Sequence, residues 1–133
     1  MPEPKHILVV EDDLLNGMFY QAALEANHFK VRIVADGAFV MEQVREFQPD
    51  LITMDIQIPN VTGLELTKML QAEPKLREIP ILAITAFAGK GEESQIRGAG
   101  ASGYLAKPVS LNVLLAEIDA LLSPPRSEAA SAG

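Results

Sequence analysis

Three carboxylates, Glu11, Asp12 and Asp13, follow directly on the apolar run Ile7-Leu8-Val9-Val10. A fourth, Asp55, ends Leu51-Ile52-Thr53-Met54 in the same way. Thr85 closes Ile81-Leu82-Ala83-Ile84, and Lys107-Pro108 follows Tyr104-Leu105-Ala106. Carboxylates brought together repel, and at ~5 Å and an effective dielectric near 20 each pair costs roughly 3 kcal/mol. One lysine cannot offset Glu11, Asp12 and Asp55 together. A hard divalent cation can. A donor set of oxygens alone, without His or Cys, suits Mg²⁺, which keeps several waters and takes one or two carboxylates plus phosphate oxygens. Any one of these acids, taken singly, reads as a solvated loop residue. Acids, a hydroxyl and an ammonium at successive ends of apolar runs read as a site.

Such a site needs a scaffold that delivers several strand ends to one rim. Apolar runs at 6–10, 31–35, 51–54, 79–85 and 103–106 are predicted as strands, and a segment of helical spacing follows each one. Leu15, Met18, Phe19, Ala22, Ala23 and Ala26 recur at intervals of three and four after the first acids, and Met18 and Phe19 are read there as core. Val40, Val44 and Phe47 mark the second helix; Leu64, Leu66, Met69 and Leu70 follow Gly63 in the third. The fourth, about 91–98, is polar and glycine-flanked, with Ile96 as its main anchor. Leu111, Leu114, Leu115, Ile118, Leu121 and Leu122 stripe the fifth, behind the N-cap candidate Ser110. Strands that are apolar without alternation are buried on both faces, which means a parallel sheet covered by helices. Right-handed crossovers make this a doubly wound α/β domain, a three-layer sandwich over 5–122. The Pro-, Ser-, Ala- and Gly-rich stretch 123–133 reads as a disordered tail.

The 133 residues suffice for one domain with a real core, and 48 % hydrophobic residues exclude a disordered chain. The formal net charge is −7, and no Lys/Arg cluster exists to neutralise phosphates, so nucleic acid is not an expected partner. The absence of cysteine excludes disulfides and thiolate metal sites. No apolar run reaches the ~18 residues of a membrane helix, and the opening MPEPK lacks the regions of a signal peptide. A cytoplasmic protein with no membrane partner is expected.

In a doubly wound sheet, ligands sit beyond the carboxyl ends of the strands, where the strand order reverses. The acids therefore stand at a mouth and not in the core. ILVVEDD, PDLITMDIQIPNVTG, IPILAITAFA and GYLAKPVS occur in order, each at a strand end. With these motifs the chain resembles, over 5–122, the receiver domain of two-component response regulators. MDIQIP and TAFAGKGEE look most like the single-domain cell-cycle regulators of the DivK type.

The resemblance implies a flavodoxin-like (βα)5 fold with strand order 2-1-3-4-5. It implies a phosphoacceptor switch, not a turnover enzyme, in which Asp55 accepts a phosphoryl group from a sensor histidine kinase or histidine phosphotransferase. By the same resemblance Asp12 is a direct Mg²⁺ ligand, Glu11 a ligand through water, and the Gln57 backbone carbonyl completes the set with Asp55. Lys107 pairs with a phosphoryl oxygen, the Thr85 hydroxyl moves onto the phosphoryl group, and Tyr104 turns inward behind it. A cis Lys107–Pro108 peptide is implied too, and Gln57 and Phe87 occupy positions that tune the phosphoryl lifetime. The chemistry suits these residue types, because in-line phosphoryl transfer asks a protein mainly for position and positive charge.

Pro59 and Gly63 are read as shaping the loop after Asp55. His6 and His28 are incidental, with no second His or Cys at ligand spacing. Leu15, at the mouth end of the first helix, is a candidate contact for the phosphodonor. Val113 and Ala116, with Ala120, lie off the core stripe of the last helix and are a candidate contact for a downstream protein partner. With no output domain in the sequence, signalling through protein contact or phosphoryl relay is expected, from a monomer or weak dimer. Two rival functions fit less well. A Mg²⁺-dependent aspartate phosphatase needs a second Asp two residues after the nucleophile, where this chain has Gln57. A flavodoxin-like cofactor binder needs a phosphate-cradling loop after the first strand, where Glu11, Asp12 and Asp13 would repel a phosphate.

Overall fold

The computed structural model describes residues 3–86 and 89–123. Phe87 and the stretch 124–133, which includes all but the first residue of the segment read above as a tail, lie outside the described residues. Strands and helices alternate: β1 (His6–Val10), α1 (Leu14–Ala26), β2 (Lys30–Val34), α2 (Val40–Phe47), β3 (Leu51–Asp55), α3 (Gly63–Ala72), β4 (Ile81–Thr85), α4 (Lys90–Ala99), β5 (Gly103–Ala106) and α5 (Leu111–Leu122). A short 3₁₀ turn, Gly37–Phe39, leads into α2. All strands are parallel, in the order β2-β1-β3-β4-β5. The polarity of the ladder therefore brings the ends of β1, β3, β4 and β5 to one rim.

Alternation of side chains along each strand explains why the runs are apolar throughout. Leu8 and Val10 of β1, Ile52 and Met54 of β3, and Ile81 and Ala83 of β4 face a layer that includes Val40, Val44, Leu66, Leu70 and Ile96, from α2, α3 and α4. Ile7, Val9, Leu51, Leu82 and Ile84 face the other way, onto Tyr20 and Leu24 of α1 and Leu114 and Ile118 of α5. Each fully buried aliphatic side chain contributes about 1.5–3 kcal/mol. The central strands are therefore the stiffest part of the fold, and the residues at their ends inherit that rigidity.

Two readings of helix phase are corrected. Met18 and Phe19 are 53 % and 47 % exposed, while α1 buries Gly17, Tyr20 and Leu24. The helix is apolar on more than one face, so periodicity alone selected the outer one. Met69 likewise faces outward, with Leu66, Thr67 and Leu70 turned to the core. At β4 the ladder starts at Ile81 and not at Ile79, since Pro80 has no N–H to donate, although its carbonyl accepts from Ile52 at 3.0 Å. Gly63 is the first residue of α3, not part of the turn before it.

Candidate functional site

The three successive acids separate by direction. Glu11 is buried, and its carboxylate accepts the Asp13 N–H at 3.0 Å. Asp12 is exposed at the rim. Asp13 leaves the site as the N-cap of α1, accepting from the Asn16 N–H at 2.9 Å. A negative charge there also suits the positive end of the helix dipole.

β3 delivers Asp55, 4 % exposed, beside Glu11. Its Oδ1 accepts the Gln57 N–H at 3.0 Å, and its Oδ2 accepts from Lys107 Nζ at 3.1 Å. The same ammonium donates to Glu11 Oε1 at 3.2 Å. Carboxylate oxygens of Glu11, Asp12 and Asp55 lie within 4.8 Å of one another, a group able to hold a metal ion. The charge does not balance, and the balance shows on Glu11. Burial above all, then the charge of Asp55, pushes it up from 4.5 to about 7, against the Asp13 N–H and Lys107. Burial works to lower Lys107, but hydrogen bonds and charge from Asp55 and Glu11 prevail and hold its ammonium above the ordinary value.

Local structure fixes these groups. The Lys107 N–H bonds the Thr85 carbonyl at 2.8 Å, continuing the β4–β5 ladder past its last pair, and the Lys107–Pro108 peptide is cis. Thr85 is fully buried at the end of β4. Tyr104, on β5, is half-buried, and its hydroxyl donates to Glu92 Oε1 at 2.7 Å and accepts the Gly89 N–H at 3.4 Å. Gly63 lies against the backbone that follows Asp55: a Cβ there would stand 2.7 Å from both the Asp55 carbonyl oxygen and Ile56 Cα. The Gly63 N–H also bonds the Ile56 carbonyl at 3.0 Å. The Pro59 carbonyl accepts from Gly37 and Val61, and Asn60 Nδ2 reaches both Asp36 oxygens at 2.9 Å. The loop carrying Gln57 is thus tied to the turn before α2.

Glu11, Asp12, Asp55 and Lys107 come together at one point, with Thr85 and the backbone of Gln57 beside them. Leu15 is exposed on α1, and Val113 and Ala116 are exposed on α5. His6 lies at the opposite end of the sheet, on Phe47. The link from Tyr104 to Glu92 was not legible in advance, since Glu92 is one more acid in a polar first turn. The Asp36–Asn60 tie joins residues whose only sequence signal is turn chemistry.

A family model described as the response regulator receiver domain matches residues 7–119. The polar-differentiation response regulator DivK of Brucella anthropi is 44 % identical over 108 residues, 81 % of this chain and 88 % of DivK. The receiver domain of the sensor histidine kinase PA1611 from Pseudomonas aeruginosa, solved with a magnesium ion coordinated in its active-site cleft, superposes with a TM-score of 0.82 at 31 % identity, covering 90 % of this chain and 98 % of that one. The BeF3-activated N-terminal receiver domain of Klebsiella pneumoniae RstA gives 0.84 at 28 % identity, with 90 % and 99 % covered. A match that runs from the first strand into the last helix, on a sheet whose reversal point holds the acidic cluster, assigns the chain: it belongs to the response regulator receiver domain family of two-component signalling.

Proposed function

We propose that the chain is a single-domain phosphoacceptor switch in which Asp55 takes a phosphoryl group from the phosphohistidine of a sensor histidine kinase or histidine phosphotransferase. One observation carries the reading: Asp55 is held at the sheet's reversal point by Lys107 and the Gln57 amide, against two further carboxylates with one ammonium to offset them. The donor set of Glu11, Asp12, Asp55 and the Gln57 carbonyl fits Mg²⁺, a hard cation that takes oxygen ligands and tolerates retained water. When bound, it supplies positive charge for the phosphoryl oxygens and offsets the carboxylates' repulsion.

The chain's own residues do the rest. Lys107 holds Asp55 in place before transfer and pairs with a phosphoryl oxygen after it. An Asp55 oxygen bonds to phosphorus as the phosphorus–nitrogen bond breaks and the electron pair leaves with the nitrogen. Thr85 reads the added oxygens, and Tyr104 follows by leaving Glu92 and turning inward. Pro59 and Pro108 shape the loops around the acceptor, and Gly63 lets the first turn of α3 seat against the backbone after it. Leu15 contacts the donor, while Val113 and Ala116 change partner as the face beside Tyr104 changes. Output is a protein contact or a relay, without turnover of a free substrate, from a cytoplasmic monomer or weak dimer. The absence, among the described residues, of a helix long and apolar enough to cross a membrane is consistent with that location. Likeness to a polar-differentiation response regulator supports this kind of output.

Incubation with phosphoramidate and Mg²⁺ should add one acid-stable, base-labile phosphoryl group, read by intact mass. Asp55→Asn should abolish it. Undiminished labelling of Asp55→Asn overturns the assignment.

A further inference from the structure

Tyr20 lies on the inner face of α1, 5 % exposed, in the layer of Ile7, Val9, Leu24 and Ile118. Its ring meets that of Phe19 at 5.8 Å. Nothing in this packing calls for a hydroxyl, and phenylalanine would fill the same apolar space. Among the described residues the Tyr20 hydroxyl makes no hydrogen bond. Buried phenols normally find a partner, because an unmade bond leaves the cost of desolvation uncompensated.

The surroundings say where a partner would come from. Tyr20 lines a cavity of about 440 Å³ between α1 and the turn after β5, with Asn16, Phe19, Lys107, Pro108 and Val109. Lys107 belongs both to this cavity and to the acidic cluster, where it bonds Asp55 and Glu11. Burial first, then the charges of Glu11, Asp55 and Asp13, raise the Tyr20 pKa, with Lys107 opposing. The phenol therefore stays protonated in the cavity it shares with Lys107. It is an uncharged donor, able to face an anionic oxygen without adding to the carboxylates' repulsion.

We propose that the Tyr20 hydroxyl is a further binding group of the phosphoryl site, donating a hydrogen bond to an oxygen of the phosphoryl group that reaches Asp55 past Lys107. The inference rests on Asp55 being the acceptor, and the ligand class is a phosphoramidate or acyl phosphate. Tyr20 keeps its proton throughout. The bonds that change are those of the transfer itself, and the departing nitrogen takes its proton from solvent.

Tyr20→Phe removes the hydroxyl alone. The phosphoramidate concentration for half-maximal labelling should rise about ten- to a hundredfold, the contribution of one hydrogen bond to a charged acceptor. Fluoroberyllate with Mg²⁺, a phosphoryl mimic that reads binding without turnover, should raise the Tm of the variant less than that of the wild type. With neither probe present, the variant's Tm should equal or exceed the wild type's, since only an unpartnered polar group is lost. An unchanged half-saturation with an unchanged fluoroberyllate shift overturns the inference. So does a fall of more than about 4 °C in the Tm of the free variant, which would make the hydroxyl structural. If Asp55→Asn retains its label, the acceptor reading itself falls and takes this inference with it. If only Tyr20→Phe is without effect, the acceptor reading stands alone.

Discussion

At the amino ends of the strands, His6 donates its backbone N–H to Asp50 at 2.7 Å and stacks on Phe47 at 4.8 Å. The Arg32 guanidinium covers the same ring at 4.7 Å and bonds Gln43 and Glu46. Charges there have partners, with the Arg32–Glu46 pair left open to solvent. At the carboxyl ends, Glu11 and Asp55 share one ammonium, with Asp12 alongside. Both ends belong to the same sheet and carry ordinary residue types. The difference is that one end has reached its own electrostatic minimum, while the other reaches it only when a cation or phosphoryl group arrives. A protein can fold around an unbalanced cluster because the balanced end and the core supply stability independently of it.

Phe47→Ala tests the balanced end and should show the largest effect. Loss of the ring under His6 and Arg32 should cost about 3–4 kcal/mol in a urea titration, while the folded fraction still accepts phosphoryl at Asp55. A cost below about 1 kcal/mol would mean that the amino end does not anchor the fold.

The second test uses pH on the unbalanced end. Glu11 ionises near 4.5 in the unfolded chain and near 7 in the fold, chiefly because it is buried. Between those values the folded state holds a proton that the unfolded state has released, so stability falls as pH rises. The penalty is absent below about 4.5 and complete above about 7, on the order of 2–3 kcal/mol. In EDTA, wild type should be less stable at pH 8 than at pH 5 by that amount relative to Glu11→Gln. Parallel profiles for the two proteins would show that Glu11 carries no such strain.

Asp12→Ala should have the smallest effect on folding. Without metal, the variant should be as stable as wild type or up to about 1 kcal/mol more so, because one repelling charge is gone. Mg²⁺ should raise the wild-type Tm by mass action and leave that of the variant nearly unmoved. A large loss of metal-free stability would place Asp12 among the structural residues and blur the contrast between the two ends.

Sequence reasoning reached the unbalanced end more readily than the helix faces. Acids and a lysine at the ends of apolar runs can be placed on a rim once the sheet is known to be parallel. β1 and β5 have the predicted bounds because apolar composition and turn residues change together there. The phase of α2 was legible because Glu42, Arg45 and Glu46 crowd the face away from Val40, Val44 and Phe47. α1 has no such contrast: Leu14, Leu15, Met18 and Phe19 are exposed and apolar, while its buried face begins with Gly17, a residue that pattern reading takes for a weak point. A Cβ at Gly17 would stand 3.5 Å from Ile33, an ordinary van der Waals contact, so Gly17 rests on β2 with room for a methyl group, which no periodicity reports. The Lys107 bonds span 52 and 96 residues of sequence, and only the fold brings those partners together.

Gly63 gives the first turn of α3 the character of a machined stop. With backbone on both sides of the gap and no side chain to compress, the clearance between helix and strand end has no slack. The height of Asp55 above the sheet is then set by the seating of a whole helix, not by the softness of a loop. A push on either is felt by the other as a rigid displacement. Even a methyl group at position 63 would act as a shim, lifting the acceptor out of alignment with Lys107 while leaving every charged residue of the site unaltered.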